Sequence, residues 1–150
     1  FYAPLSPTHG LLLLQGRDDA FARPYVYDWV NETFARPSMN ITGLCRDGRV
    51  KAFDASADGQ WLAVSCSGGN VYRLDMKDGA VTPIILQDDL TQLPVTHLRL
   101  SPDGRSVIYL QDEQGIIQDI ETGQRQHFGP DYHLTRYANW LPSGALDGWR

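Results

Sequence analysis

Between Leu98 and Leu110 the chain reads LRLSPDGRSVIYL, and its apolar positions follow two rules in succession. Leu98 and Leu100 alternate with Arg99, the period of a strand with one buried face. Val107, Ile108, Tyr109 and Leu110 form a short continuous run suited to a strand buried on both faces. Between them Pro102 supplies the fixed φ of a turn's first central position, and Gly104 can take positive φ. The stretch predicts a strand, a tight turn and a second strand.

The same pattern stands 45 positions earlier as FDASADGQWLAVS, Phe53 to Ser65. Placing Gly104 on Gly59 puts Val95 on Val50, Leu98 on Phe53, Leu100 on Ala55, Ser101 on Ser56, Asp103 on Asp58 and Val107 on Leu62. A third copy, YANWLPSGALDGW, places Trp140 on Leu100 and Gly144 on Gly104. A fainter fourth, YAPLSPTHGLLLLQ, has one extra residue in the turn before Gly10. The four glycines fall 49, 45 and 40 positions apart, close to the roughly 40 to 45 residues of one propeller blade.

Further short strands follow each pair. In the second unit they are NVYRLDM (Asn70–Met76) and VTPIIL (Val81–Leu86); in the third, GIIQDIETG (Gly115–Gly123) and RQHFG (Arg125–Gly129). The first unit offers YVYDWV, Tyr25–Val30. Trp29 and Trp61 are expected in strands, packed between units, and Trp140 at an inward first-strand position. Trp149 has no evident burial. Only DDLTQL, Asp88–Leu93, offers a turn of helix, which Pro94 would stop.

These residues resemble blades of a β-propeller of the WD-repeat or related bacterial type. SPDG at Ser101–Gly104 is similar to the turn between a blade's first two strands, and IIQDIETG at Ile116–Gly123 is similar to the third strand. There the family often carries Trp-Asp before a Thr-Gly turn; here Gln118 and Asp119 take the dipeptide positions, and Tyr27 and Asp28 do so in the first unit. The family's Gly-His pair near the start of each unit is missing. The resemblance implies an all-β fold of four-stranded antiparallel blades, about three and the start of another, in approximate units 1–45, 46–90, 91–130 and 131–150. It is specific for architecture and unspecific for function.

Propellers need about four to eight blades, and an open arc exposes a strand edge at each end. The expectation is that further blades of a longer polypeptide complete the ring, with association of several chains, identical or not, as the second solution and a non-propeller sandwich as the third. Phe1 at the start and ALDGWR within a hairpin read as cut boundaries.

Composition narrows the function. A formal net charge of -5 and a pI near 5.2 argue against nucleic acid as the partner, whose affinity rests on clustered Lys and Arg. Only a local basic patch would reopen that reading. Apolar runs such as Leu11–Leu14 fall far short of the roughly 20 residues that span a bilayer. Cys45 and Cys66 lack metal-ligand spacing and read as two free, partly buried thiols of a reducing compartment. One bridge between neighbouring strands is the open alternative. The compartment is otherwise unassigned, with a lean to the cytoplasm. The sequons Asn31-Glu32-Thr33 and Asn40-Ile41-Thr42 would fit a secreted glycoprotein but are common by chance.

No catalytic constellation emerges. SCSGGN, Ser65–Asn70, lacks the first glycine of a nucleophile elbow and sits between two strands, so it reads as a hairpin loop. No spacing ties His9, His97, His127 or His133 to either cysteine. HFGPDYH, with His127, Asp131 and His133, matches no zinc pattern, and the pairs Asp18-Asp19 and Asp88-Asp89 read as solvated acids. Neither a metal nor a cofactor is expected.

What remains is surface. In the propeller analogy, the loops joining second to third strands and those joining one blade to the next gather on one face. That face would carry Arg17, Phe21 and Arg23 of the longest loop, Asn70, Asp112, Glu113, Arg136 and Tyr137. Arg and aromatic residues are enriched at binding hot spots, and loops on a rigid scaffold commonly carry function. The sequence therefore reads as a non-catalytic propeller segment that binds another protein or its own remaining blades. The alternative is the propeller portion of an enzyme, such as a peptidase-type hydrolase, with its catalytic domain elsewhere.

Overall fold

The computed structural model describes residues 2–4, 6–14, 23–36, 41–87, 93–128, 134–140 and 146–149. They form three four-stranded antiparallel sheets and one two-stranded sheet, with a single short 3-10 turn, Thr42–Leu44, among the described residues. The first sheet comprises β1 (Tyr2–Pro4), β2 (His9–Leu14), β3 (Arg23–Asp28) and β4 (Thr33–Ala35). The second comprises β5 (Val50–Ala55), β6 (Trp61–Cys66), β7 (Val71–Asp75) and β8 (Val81–Ile85). The third comprises β9 (Val95–Leu100), β10 (Ser106–Gln111), β11 (Gln114–Asp119) and β12 (Arg125–Phe128). A hairpin of β13 (Leu134–Trp140) and β14 (Leu146–Trp149) follows. Each sheet is ordered as its strands occur along the chain.

The first strands lie against one another in succession, β1 on β5, β5 on β9 and β9 on β13. The sheets thus share an inner edge and pack face to face. Leu11 and Ile41 meet Phe53, Leu62, Val64 and Leu74 between the first and second sheets. Ala63, Val71, Ile84 and Ile85 meet Val95, Leu98, Leu100, Val107, Tyr109 and Ile116 between the second and third. Neighbouring residues of β6 therefore serve two different cores, which is why Leu62, Ala63 and Val64 are all fully buried and why the strand reads as an unbroken apolar run. Val107, Ile108 and Tyr109 repeat this in β10.

The turn chemistry read from SADG and SPDG is duplicated bond for bond. Ser56 Oγ donates to Asp58 Oδ1 at 2.6 Å and accepts the Trp61 N–H at 2.9 Å. Ser101 Oγ donates to Asp103 Oδ1 at 2.6 Å and accepts the Ser106 N–H at 2.9 Å. Gly59 and Gly104 close the two turns, each at φ 71°.

The first unit departs from this pattern. Gly10 lies inside β2, opposite Tyr27, rather than in the turn. The bonds Trp29 N–H to Thr8 C=O, Met76 N–H to Gln60 C=O and Ile120 N–H to Arg105 C=O mark equivalent points. His9 therefore matches Trp61 and Ser106, and the turn is Ser6-Pro7-Thr8. Here Ser6 Oγ accepts the Thr8 and His9 N–H groups, and Thr8 Oγ1 is hydrogen-bonded to His9 Nδ1 at 2.8 Å.

Trp29 also differs from expectation. It sits in the turn after β3, 44% exposed, because the Asp28 carboxylate accepts the Val30 and Asn31 N–H groups and ends the strand. Trp61 does pack between sheets: Arg73 lies 4.2 Å over its ring and donates to the Gly104 carbonyl at 3.0 Å. DDLTQL falls almost wholly outside the described residues.

Gln118, in the family's Trp position, is buried and fully engaged. Its carbonyl oxygen accepts from Tyr109 Oη and Arg125 Nε, each at 3.0 Å, and its amide donates to the Ile84 carbonyl of the preceding sheet at 3.1 Å. A buried amide is tolerated when both its oxygen and its nitrogen find partners.

Candidate functional site

Antiparallel order places the β2–β3, β6–β7 and β10–β11 loops at the same end of the sheets as the connectors between sheets. Direct bonds tie the β6–β7 loop, residues 67–70, to the connectors on either side of the second sheet. On one side, the Ser67 N–H donates to the Arg49 carbonyl at 3.0 Å and the Ser67 hydroxyl donates to Asp47 Oδ2. On the other, Asn70 Oδ1 accepts the Gln87 N–H at 2.7 Å, while Gln87 donates to the Leu93 carbonyl at 2.8 Å and accepts the Leu93 N–H at 2.6 Å. A Cβ on Gly69 would stand 2.8 Å from the Gln87 amide carbon, so only glycine lets these segments approach.

A disulfide completes the arrangement and corrects the reading of two free thiols. Cys45, in the connector before β5, is bonded to Cys66 at the end of β6, with Cα atoms 5.4 Å apart. The two are not on neighbouring strands; the connector folds back because Val50 pairs with Cys66 and brings the preceding turn over the strand end. Such a bond fits an oxidising rather than a reducing compartment.

Of the residues singled out from sequence, Asn70 lies at the centre of this cluster, where its side chain is half-buried and holds Gln87. Asp112 and Glu113 form the two-residue turn between β10 and β11, both exposed and both at positive φ, 51° and 62°. Arg17 and Phe21 lie outside the described residues, and Arg23 opens β3. Arg136 and Tyr137 belong to β13 rather than to a loop. The register that sets Trp140 on Leu100 also sets them on Thr96 and His97 of β9, so a strand position follows. HFGPDYH is mostly outside the described residues, and SCSGGN is the β6–β7 hairpin loop.

Sequence reasoning missed the exposed apolar residues beside the cluster. Leu86 and Leu93, flanking the Gln87 clasp, are 66% and 43% exposed. Leu86 directly continues the buried apolar run of Ile84 and Ile85, and Leu93 precedes Pro94 before the next strand, so nothing in the one-dimensional pattern marks either as exposed.

At the inner edge, Asp54 of β5 accepts the Leu100 N–H of β9 at 2.9 Å. Burial pushes its carboxyl above the ordinary range, and the Leu100 N–H and the charge of Arg99 oppose that push. The β5 and β9 ladders each slip by one residue near the loop end, at Lys51 and at His97, which has φ 53°. Bulges of this kind re-aim side chains at sheet rims.

No family model matches the chain, and no curated protein matches it. Solved structures do. Tricorn protease superposes with a TM-score of 0.59 at 15% identity, over 88% of this chain and 13% of that one. A protein described as TolB from Agrobacterium tumefaciens gives 0.58 at 16% identity, over 85% and 48%. The extracellular domain of a one-component system from B. thetaiotaomicron gives 0.58 at 15% identity, over 97% and 19%. The chain thus spans less than half the length of each of these proteins. With radial four-stranded sheets and neighbours of this kind, it has a β-propeller-type fold.

Proposed function

We propose that this chain is the interaction module of a propeller, binding another protein through the end of the sheets where the β6–β7 loop meets both connectors. The observation that carries this reading is the pair Leu86 and Leu93, exposed on either side of a hydrogen-bonded clasp. Exposed apolar side chains on a fixed backbone bind without a large ordering cost. Asn70 supports the reading by fixing that backbone, and Asp112 and Glu113 add carboxylates at the same end.

The test is affinity capture from the source cells with wild type, Leu86→Ser/Leu93→Ser and Phe34→Ser chains. Phe34 is exposed on β4, away from this end. A partner lost with the leucine pair and retained with Phe34→Ser supports the reading. Hydrolase activity of the purified chain or its full-length parent, abolished by substitution of a loop residue, would replace it with the enzyme alternative.

A further inference from the structure

The turn before β5, on the side of residues 67–70 away from the leucine pair, carries a local excess of positive charge. The chain as a whole carries -5, yet Cys45–Phe53 contains Arg46, Arg49 and Lys51 against one carboxylate, Asp47. All three cations are exposed. Asp47 is engaged locally: Oδ1 accepts the Arg49 N–H at 3.0 Å and Oδ2 accepts the Ser67 hydroxyl. Lys51 has no ion-pair partner among the described residues, and Arg49 acts on Asp47 only at a distance, helping to lower its carboxyl.

The backbone beneath these cations is fixed. The Cys45–Cys66 bond anchors one end, the Gly48 N–H closes the turn on the Cys45 carbonyl at 2.8 Å, and the Arg49 carbonyl holds the Ser67 N–H. On the far side of residues 67–70 stand Leu86 and Leu93. One short loop therefore separates a preorganised cationic turn from an exposed apolar pair.

We infer that this surface takes an acidic, apolar-studded segment of a protein partner, with Glu or Asp side chains over Arg46, Arg49 and Lys51 and Leu- or Phe-like side chains on Leu86 and Leu93. Charge complementarity selects the acid. The leucines select a peptide over a phosphate polymer, which would leave them unused. This inference rests on the interaction reading above and names the partner's chemistry.

The experiment measures fluorescence anisotropy of a short labelled peptide of alternating Glu and Leu, titrated with the full chain. A Lys/Leu peptide and a single-stranded oligonucleotide serve as comparisons. Binding of the Glu/Leu peptide is expected to weaken about tenfold in Arg49→Glu/Lys51→Glu, to weaken in Leu86→Ser/Leu93→Ser, and to fall as salt rises from about 50 to about 200 mM. Thermal melts that match wild type keep a folding defect out of the comparison. Equal binding of the Lys/Leu peptide or the oligonucleotide, or binding unaffected by charge reversal, overturns the inference. If the cellular partner is still captured by Arg49→Glu/Lys51→Glu but not by the leucine variant, the acidic assignment falls and the interaction reading stands. If the leucine variant captures it too, both fall.

Discussion

Gly104 carries two constraints at once. It has positive φ, and a Cβ there would overlap the Trp61 ring that Arg73 covers, whereas Gly79 has a similar φ of 77° with nothing near its missing Cβ. Gly79→Ala should cost about 1 kcal/mol, the ordinary penalty of a left-handed residue, and Gly104→Ala distinctly more; chemical denaturation of both variants checks the order. Asp54 makes the opposite case. Burial raises its folded-state carboxyl above the unfolded value, so its charged form detracts from stability once the pH exceeds the ordinary 3.8. Asp54→Asn retains an oxygen for the Leu100 N–H, so it should melt at or above wild type at neutral pH, with any gain vanishing in acid. A loss at neutral pH would show that the attraction of Arg99 outweighs burial.

Among the elements, the Ser-x-Asp-Gly turns were legible because their chemistry is local: a hydroxyl, a carboxylate and a glycine within a few positions. Asp58 and Asp103 are held below the ordinary carboxylate range, first by the Ser56 and Ser101 hydroxyls and then by the N–H groups of Gln60 and Arg105. A depressed folded value stabilises above pH 3.8 and is lost as the pH falls below it. Asp58→Asn/Asp103→Asn should therefore lower the neutral and alkaline plateau of a Tm-against-pH profile and converge on wild type in acid, which flattens the acid side. The first unit's turn was misplaced because Ser6, Thr8 and His9 perform with side chains what glycine performs elsewhere, and pattern matching on glycine cannot see that. The Cys45–Cys66 bond was equally hidden, since it depends on how a connector folds back over a strand end 21 positions away. Cys45→Ser/Cys66→Ser should lower stability by about 3 kcal/mol, the entropic effect of opening a loop of this size, read from urea unfolding at fixed pH.

For the whole molecule, repeated faces matter more than any single strand. Leu62, Val64 and Leu74 of the second sheet are covered by the first. In the first sheet Tyr27 matches Leu74 and Tyr25 matches its neighbour on the same face, Tyr72; both are joined by Phe34, at ring distances of 4.6 and 6.4 Å. Val26, between the tyrosines, packs on the second sheet, so the aromatic group lies on the outer face, and Phe34 is 57% exposed. Wild type should bind an apolar dye such as ANS, and Phe34→Ser should reduce that signal while shifting stability by no more than about 0.5 kcal/mol. The sequence disclosed the strands, their order and the shared architecture, because alternation and turn residues encode them. It could not disclose Leu86 and Leu93 as a surface, since their exposure is decided by where neighbouring sheets end.

The bond between Cys45 and Cys66 also has a mechanical meaning. Pulled from its two ends, the polypeptide cannot extend the segment between those residues, which contains the whole β5–β6 hairpin. Roughly 70 Å of contour length is thereby withheld, and a reductant should release it as one added step in a force-extension trace. Under load, the second blade would shed its outer strands while its inner pair stayed looped together.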